Sequence, residues 1–153
     1  QIMRRHSSTK SYMETLIYSI EAALKSQQSY IKTVKSSLNK NGADLEECLN
    51  NPAFDCPIGV YPFSLLDDLG NVIIDSASSS AGFNLSYVTC STFDAVPPAG
   101  CAYRYEMTWQ PTCAAAPCFN PQIQVNGRLI IQTNEKGAVN MRTNEYDTSF
   151  NLR

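Results

Sequence analysis

From Ser8 to Leu38 the chain runs without a proline or a glycine. Met13, Ile17, Ile20, Leu24, Ile31, Val34 and Leu38 recur there at steps of three and four, and Gln27 fills the one polar slot in the series. Apolar residues at that spacing share one helical stripe. The pattern therefore predicts a single amphipathic helix over 8–38, with that stripe as its packing face. Leu16 and Tyr30 broaden the stripe to a width that suits a sheet. Glu14, Glu21, Lys25, Lys32 and Lys35 occupy the other side. At about 1.5 Å per residue such a helix runs roughly 45 Å, longer than a small domain is wide. Part of it is expected to project beyond the body it covers. Asn39-Lys40-Asn41-Gly42 ends it, with a lysine near the negative helix end and a glycine able to take the left-handed cap.

After the helix the pattern changes to that of strands. Residues 43–62 read as a connecting loop, with one or two helical turns near Asp44–Leu49 and with Pro52, Pro57 and Pro62 opposing regular structure. Phe63–Leu66 is a short apolar strand, Asp67–Asn71 a turn, and Val72–Ile74 a β-branched strand. Phe83–Thr89 and Ala102–Trp109 alternate apolar with polar and predict half-buried strands. Gln122–Val125 and Arg128–Thr133 read as strand, either continuous or broken at Asn126-Gly127. Asn134–Gly137 predicts a hairpin turn that returns through Ala138–Arg142. Residues 144–153 read as a polar tail. The whole chain, 1–153, is expected to be one α+β domain: a long N-terminal helix (8–40), a loop (43–62), then an antiparallel sheet of four to six strands (63–143).

Six cysteines, an even number with no C-x-x-C pair and a single histidine, point to disulfides rather than to zinc. Proximity favours Cys48–Cys56, Cys90–Cys101 and Cys113–Cys118, each closing a short loop; one long bridge from the sheet to an earlier loop is the rival. Disulfides imply an oxidising compartment and hence export. No run approaches the ~18 apolar residues of a membrane span. The abrupt start at Gln1 leads directly into the helix, and a removed N-terminal segment is expected.

Charge is unevenly placed. Residues 1–40 carry seven basic and two acidic residues, net +5, and the remainder five basic and twelve acidic, net −7. A total of −2 gives no general attraction to nucleic acid. Catalytic chemistry finds little to work with. His6 sits at a frayed end, and no nucleophile elbow, P-loop or dinucleotide fingerprint is present. No catalytic residue, no metal ligand set and no cofactor is predicted. Asp67, Asp68 and Asp75 lack EF-hand spacing. Trp109, Tyr103 and Tyr105 read as cross-strand packing before they read as a binding platform. Asn84-Leu85-Ser86 matches a glycosylation sequon but falls in an expected strand. The small, apolar loop Ala114, Ala115, Ala116, Pro117 between Cys113 and Cys118 is either a staple or a presented contact surface.

The layout of Ser8–Leu38, the loop 43–62, the strand 71–75 and the hairpin 128–142, with cysteines toward the C-terminal end, resembles the soluble domains of type IV pilins and type II secretion pseudopilins. The resemblance covers the whole chain as a layout. It implies a structural subunit of a type IV pilus or related filament, with other pilin subunits and assembly machinery as partners. It also implies inner-membrane anchoring through an upstream apolar segment before display on the cell surface. A pseudopilin of a secretion system is the near alternative. A stand-alone exported adhesion domain is the other.

Overall fold

The computed structural model describes residues 14–15, 17–76, 82–83, 89–90, 103–131 and 148–152. It is an α+β arrangement around an antiparallel sheet. Helix α1 covers the described residues 14–15 and 17–25, and α2 covers Gln27–Lys35. A 3-10 turn at Ser37–Asn39 and helix α3, Leu45–Asn50, follow.

The expectation of one uninterrupted helix over 8–38 is corrected. Ser26 takes extended angles, φ −79° and ψ 126°, and caps α2 by accepting from the Ser29 N–H. Its own N–H still reaches the carbonyls of Ala22 and Ala23, each at 3.1 Å. A serine hydroxyl offers backbone donors an acceptor outside the helical ladder, and so favours a break. Gln27, the polar slot of the seam, thereby stays exposed. The break shifts the phase of the buried stripe. α2 buries Ser29, Thr33 and Val34, while Ile31 turns outward at 36% exposure. Ile31 is therefore removed from the packing face. Ile20 and Val34 are buried on it, and Ile17, Leu24 and Leu38 are half-buried. Met13, Leu16 and His6 lie outside the described residues. A second serine, Ser36, ends α2 and caps the 3-10 turn by accepting from the Leu38 N–H at 3.2 Å.

Among the described residues the strands are β1 Tyr61–Pro62, β2 Leu65–Leu66, β3 Val72–Ile74, β4 Gly82–Phe83, β5 Thr89–Cys90, β6 Tyr103–Pro111, β7 Ile123–Ile131 and β8 Thr148–Asn151. The main sheet runs β5-β4-β6-β7-β8, with β1 also on β6, and β2 pairs with β3 separately. Strands β6 and β7 pair from Tyr103↔Ile131 to Pro111↔Ile123 without interruption, so Asn126-Gly127 is strand and not a turn. Three expectations change. Phe83 pairs with Thr89, so the alternating stretch 83–89 supplies two strands rather than one. Tyr61–Pro62 joins the sheet on Trp109 and Thr108, so the connecting loop ends earlier than Pro62. The tail contains β8, paired with β7 through Val125↔Phe150. The Asn134–Gly137 turn and the return strand 138–142 lie outside the described residues.

Alternation along β6 and β7 sorts the sheet into two faces. Tyr105, Met107 and Trp109 opposite Leu129, Gly127 and Val125 face inward and are buried. They share one core cluster with Ile20 and Ala23 of α1, Val34 of α2, Leu45 and Leu49 of α3, and Phe63, Leu65 and Ile74. The opposite face carries Thr108, Gln110, Gln124 and Asn126, with Glu106 between Arg104 (3.5 Å) and Arg128 (3.6 Å).

Polar atoms tie the helical half to the strands. Thr33 Oγ1 donates to the Leu66 carbonyl and accepts from the Leu66 N–H, at 3.2 and 3.0 Å. The turn before β3 is held by Asp67, whose Oδ1 accepts from the Leu69 and Asn71 N–H groups at 2.9 and 2.8 Å. The bond from the Asn71 backbone is the largest cause holding the Asp67 carboxyl below the usual carboxylate range.

Gly42 sits at φ +89°, and a Cβ there would lie 3.0 Å from Tyr61 Cδ1. An L side chain in this left-handed region is strained by about 1–2 kcal/mol before any clash. Gly42→Ala is expected to lower stability by about 1–2 kcal/mol, read as a shift in the denaturation midpoint at unchanged slope. An unchanged midpoint would contradict the left-handed conformation of Gly42.

Candidate functional site

Two disulfide-closed loops are knitted into one body. Cys48 of α3 bonds to Cys56 with Cα atoms 5.2 Å apart, and Cys113 bonds to Cys118 with Cα atoms 5.7 Å apart. The Cys90–Cys101 pairing lies outside the described residues. The Cys56 N–H donates to the Cys118 carbonyl at 2.8 Å, and the Cys118 N–H donates to Asp55 Oδ1 at 2.8 Å. Asp55 and Phe119 form an isolated antiparallel bridge. Cys56 and Cys118 are buried, which roots both loops in the core. The neck of the second loop is closed by Thr112, whose N–H and hydroxyl both donate to the Gln122 carbonyl, at 3.0 and 3.1 Å.

What this root supports is an exposed, mostly apolar surface. Ala114, Ala115, Ala116 and Pro117 are all exposed. Phe119 stands 52% exposed beside Cys118, and Ile58 and Val60, just after Cys56, are 46% and 63% exposed. Exposed apolar side chains on a braced loop are candidates for a contact site where they form one contiguous patch. Two crosslinks and the inter-loop bridge fix the shape beforehand, so ordering costs on binding are small.

The other candidate residues land elsewhere. Trp109 and Tyr105 are buried, which agrees with the packing reading and leaves no aromatic platform at these two positions: Trp109 packs in the core against Tyr61, with ring centroids 4.7 Å apart. The Tyr103 side chain and the sequon at Asn84 lie outside the described residues. Asp67 serves its turn, as described above. Among the described residues no group of three or more His, Cys, Asp or Glu side chains converges on one point, and no helix is long and apolar enough to cross a membrane.

Sequence reasoning missed two buried polar residues. Arg104 is 3% exposed and donates to the carbonyls of Asp75 and Ser76, at 3.3 and 3.4 Å. Alternation placed it on the polar face, and nothing local signals that the end of β3 covers it. Asn39 is fully buried, although it stands in what reads as a polar helix stop. Its side chain donates to the Thr33 and Ser64 carbonyls at 2.8 Å each and accepts from the Ser64 N–H at 2.7 Å.

Fold and site together define an α+β domain built on an antiparallel sheet, with two disulfides bracing exposed, mostly apolar loops. No family model, no curated protein and no solved structure matches this chain.

Proposed function

We propose that the chain works by assembly, as the exported, non-enzymatic subunit of a type IV pilin-like filament, with the two stapled loops as its outward contact surface. The observation that carries the reading is the layout, a helical half packed on an antiparallel sheet, and the exposed loops braced by two crosslinks suit it as a contact surface. Ile20 and Ala23 of the N-terminal helical half share the core with the inner face of β6 and β7, where a pilin-like helix would lie. In this reading α1 continues into an upstream apolar helix that first anchors the subunit in the inner membrane and is then buried among equivalent helices. Copies related head to tail do not close and so extend into a filament. A pseudopilin of a secretion system would be built in the same way.

The codons ahead of Gln1 decide between this and a binding domain that acts alone. The filament reading expects a leader ending in glycine and then about 20 apolar residues. A cleavable secretory signal running directly into Gln1 would overturn it. The stapled loops favour the lone adhesion domain equally, since a preformed apolar surface also suits a receptor or a host protein.

A further inference from the structure

The dipeptide Asn-Gly occurs twice in the chain, at Asn41-Gly42 and at Asn126-Gly127, and the fold treats the two copies differently. Such a pair can react with itself, because glycine has no Cβ to shield its backbone nitrogen from the preceding carboxamide. Reaction needs an exposed amide nitrogen and a side chain free to fold back onto it.

Asn126-Gly127 meets neither condition. It lies inside β7, where Gly127 stands opposite Met107 of β6 and Thr148 of β8. The Leu152 N–H donates to the Ile123 carbonyl at 2.9 Å. Bonded and non-bonded pairs alternate along an antiparallel ladder, so Gly127 and Thr148 form a bonded pair and the Gly127 N–H is held by β8. Gly127 is also buried. Strand backbone makes the Asn126 side chain stand off the sheet, away from the next amide nitrogen.

Asn41-Gly42 meets both. It lies in the bend between the 3-10 turn and α3, and both residues are exposed. Gly42 sits at φ +89°, outside helix and strand alike. Among the described residues its N–H makes no hydrogen bond.

We propose that Asn41 is a site of spontaneous covalent modification, in which the exposed carboxamide is exchanged for a carboxylate through attack by the Gly42 nitrogen. The Gly42 nitrogen bonds to Asn41 Cγ, the Cγ–Nδ2 bond breaks, and the proton given up by Gly42 leaves with Nδ2 as ammonia. Water then opens the cyclic imide. Opening at the Cγ carbonyl gives aspartate, and opening at the backbone carbonyl gives isoaspartate. The sum is amide plus water to acid plus ammonia, with no oxidant or reductant. The product adds one negative charge to the formal net charge of −2. That charge arrives beside Lys40, whose ammonium already faces Glu46 at 3.2 Å and Asp44 at 3.9 Å. Isoaspartate also lengthens the main chain by a methylene between Asn39, which is tied to Ser64, and Asp44, which caps α3. The modification thus acts on the link between the helical half and the first disulfide loop. The proposal does not depend on the filament reading.

The test incubates the full 153-residue chain at mildly alkaline pH, folded in one sample and reduced and unfolded in urea in the other. Both are digested at mildly acidic pH and mapped by mass spectrometry with fragmentation that separates isoaspartate from aspartate. In the folded chain Asn41 is expected to convert about 10-fold or more faster than Asn126, because Asn126 reacts only when β7 opens. In the unfolded chain the two are expected to convert at comparable rates, and isoaspartate is expected at both. Asn41→Gln replaces an exposed side chain, and is expected to keep the folded chain free of the early acidic species. Three results would overturn the proposal: Asn126 converting as fast as Asn41 in the folded chain, Asn41 remaining an amide there while it converts in urea, or a product that is aspartate alone.

Discussion

Trp109→Ala is expected to cost about 3–5 kcal/mol of stability. The indole is fully buried on the inner face of β6, opposite Val125 and against the Tyr61 ring. Its removal leaves a cavity in the middle of the sheet, where paired strands resist collapse into the space. Its Nε1–H has no hydrogen-bond partner among the described residues, so the loss is one of packing. Trp109→Phe keeps most of the volume and drops that unpaired donor, and a loss under about 1.5 kcal/mol is expected. The chain has only this tryptophan, so both variants are best compared by far-ultraviolet circular dichroism in denaturant. A Trp109→Ala protein of unchanged stability would mean that the side chain belongs to a surface and not to the core.

Asn39→Ala is expected to be comparably harmful, by a different route. This one carboxamide bonds three buried backbone groups: the Thr33 carbonyl, the Ser64 carbonyl and the Ser64 N–H. Alanine removes all three bonds, and of these groups the Thr33 carbonyl keeps a second partner, the Ser36 N–H at 3.2 Å. An unsatisfied buried polar group costs about 1–3 kcal/mol, so a total of about 3–5 kcal/mol is expected after partial relaxation. Asn39→Asp should rescue little, because it turns an acceptor toward two carbonyls. Urea denaturation of the pair measures this, and stability within 1 kcal/mol of wild type for either variant would contradict the network.

The two residues show where sequence ends as a guide. Trp109 was legible as core because alternation along β6 is strict and places it with Tyr105 and Met107. Cys48–Cys56 and Cys113–Cys118 were legible because short separation and local turns favour them. Asn39 was not, because its partners at Thr33 and Ser64 are brought to it only by the packed fold. The single helix failed for a related reason. A heptad-like seam records which side chains are apolar, but a break at Ser26 changes which of them face inward. Ile31 kept its place in the series and lost its place in the core. Strand β8 stayed hidden in a polar tail because four residues, Thr148–Asn151, offer too little alternation to read. Ser149 and Asn151 lie toward the polar face, and Phe150 between them points inward opposite Val125. Of the candidate site, the loop Ala114–Pro117 could be read from its composition. Its bracing against the first disulfide loop could not, since the Asp55↔Phe119 bridge joins segments far apart in sequence.

If the chain acts as proposed, by joining copies of itself at the cell surface, the most direct test is shearing of cells that produce the complete gene product, followed by sedimentation and antibody labelling of the sheared material. The chain is then expected to pellet with thin filaments labelled along their length, and deletion of an upstream apolar segment is expected to abolish both filaments and label. Recovery of the chain only as free monomer in the medium, with no labelled filament, would contradict it.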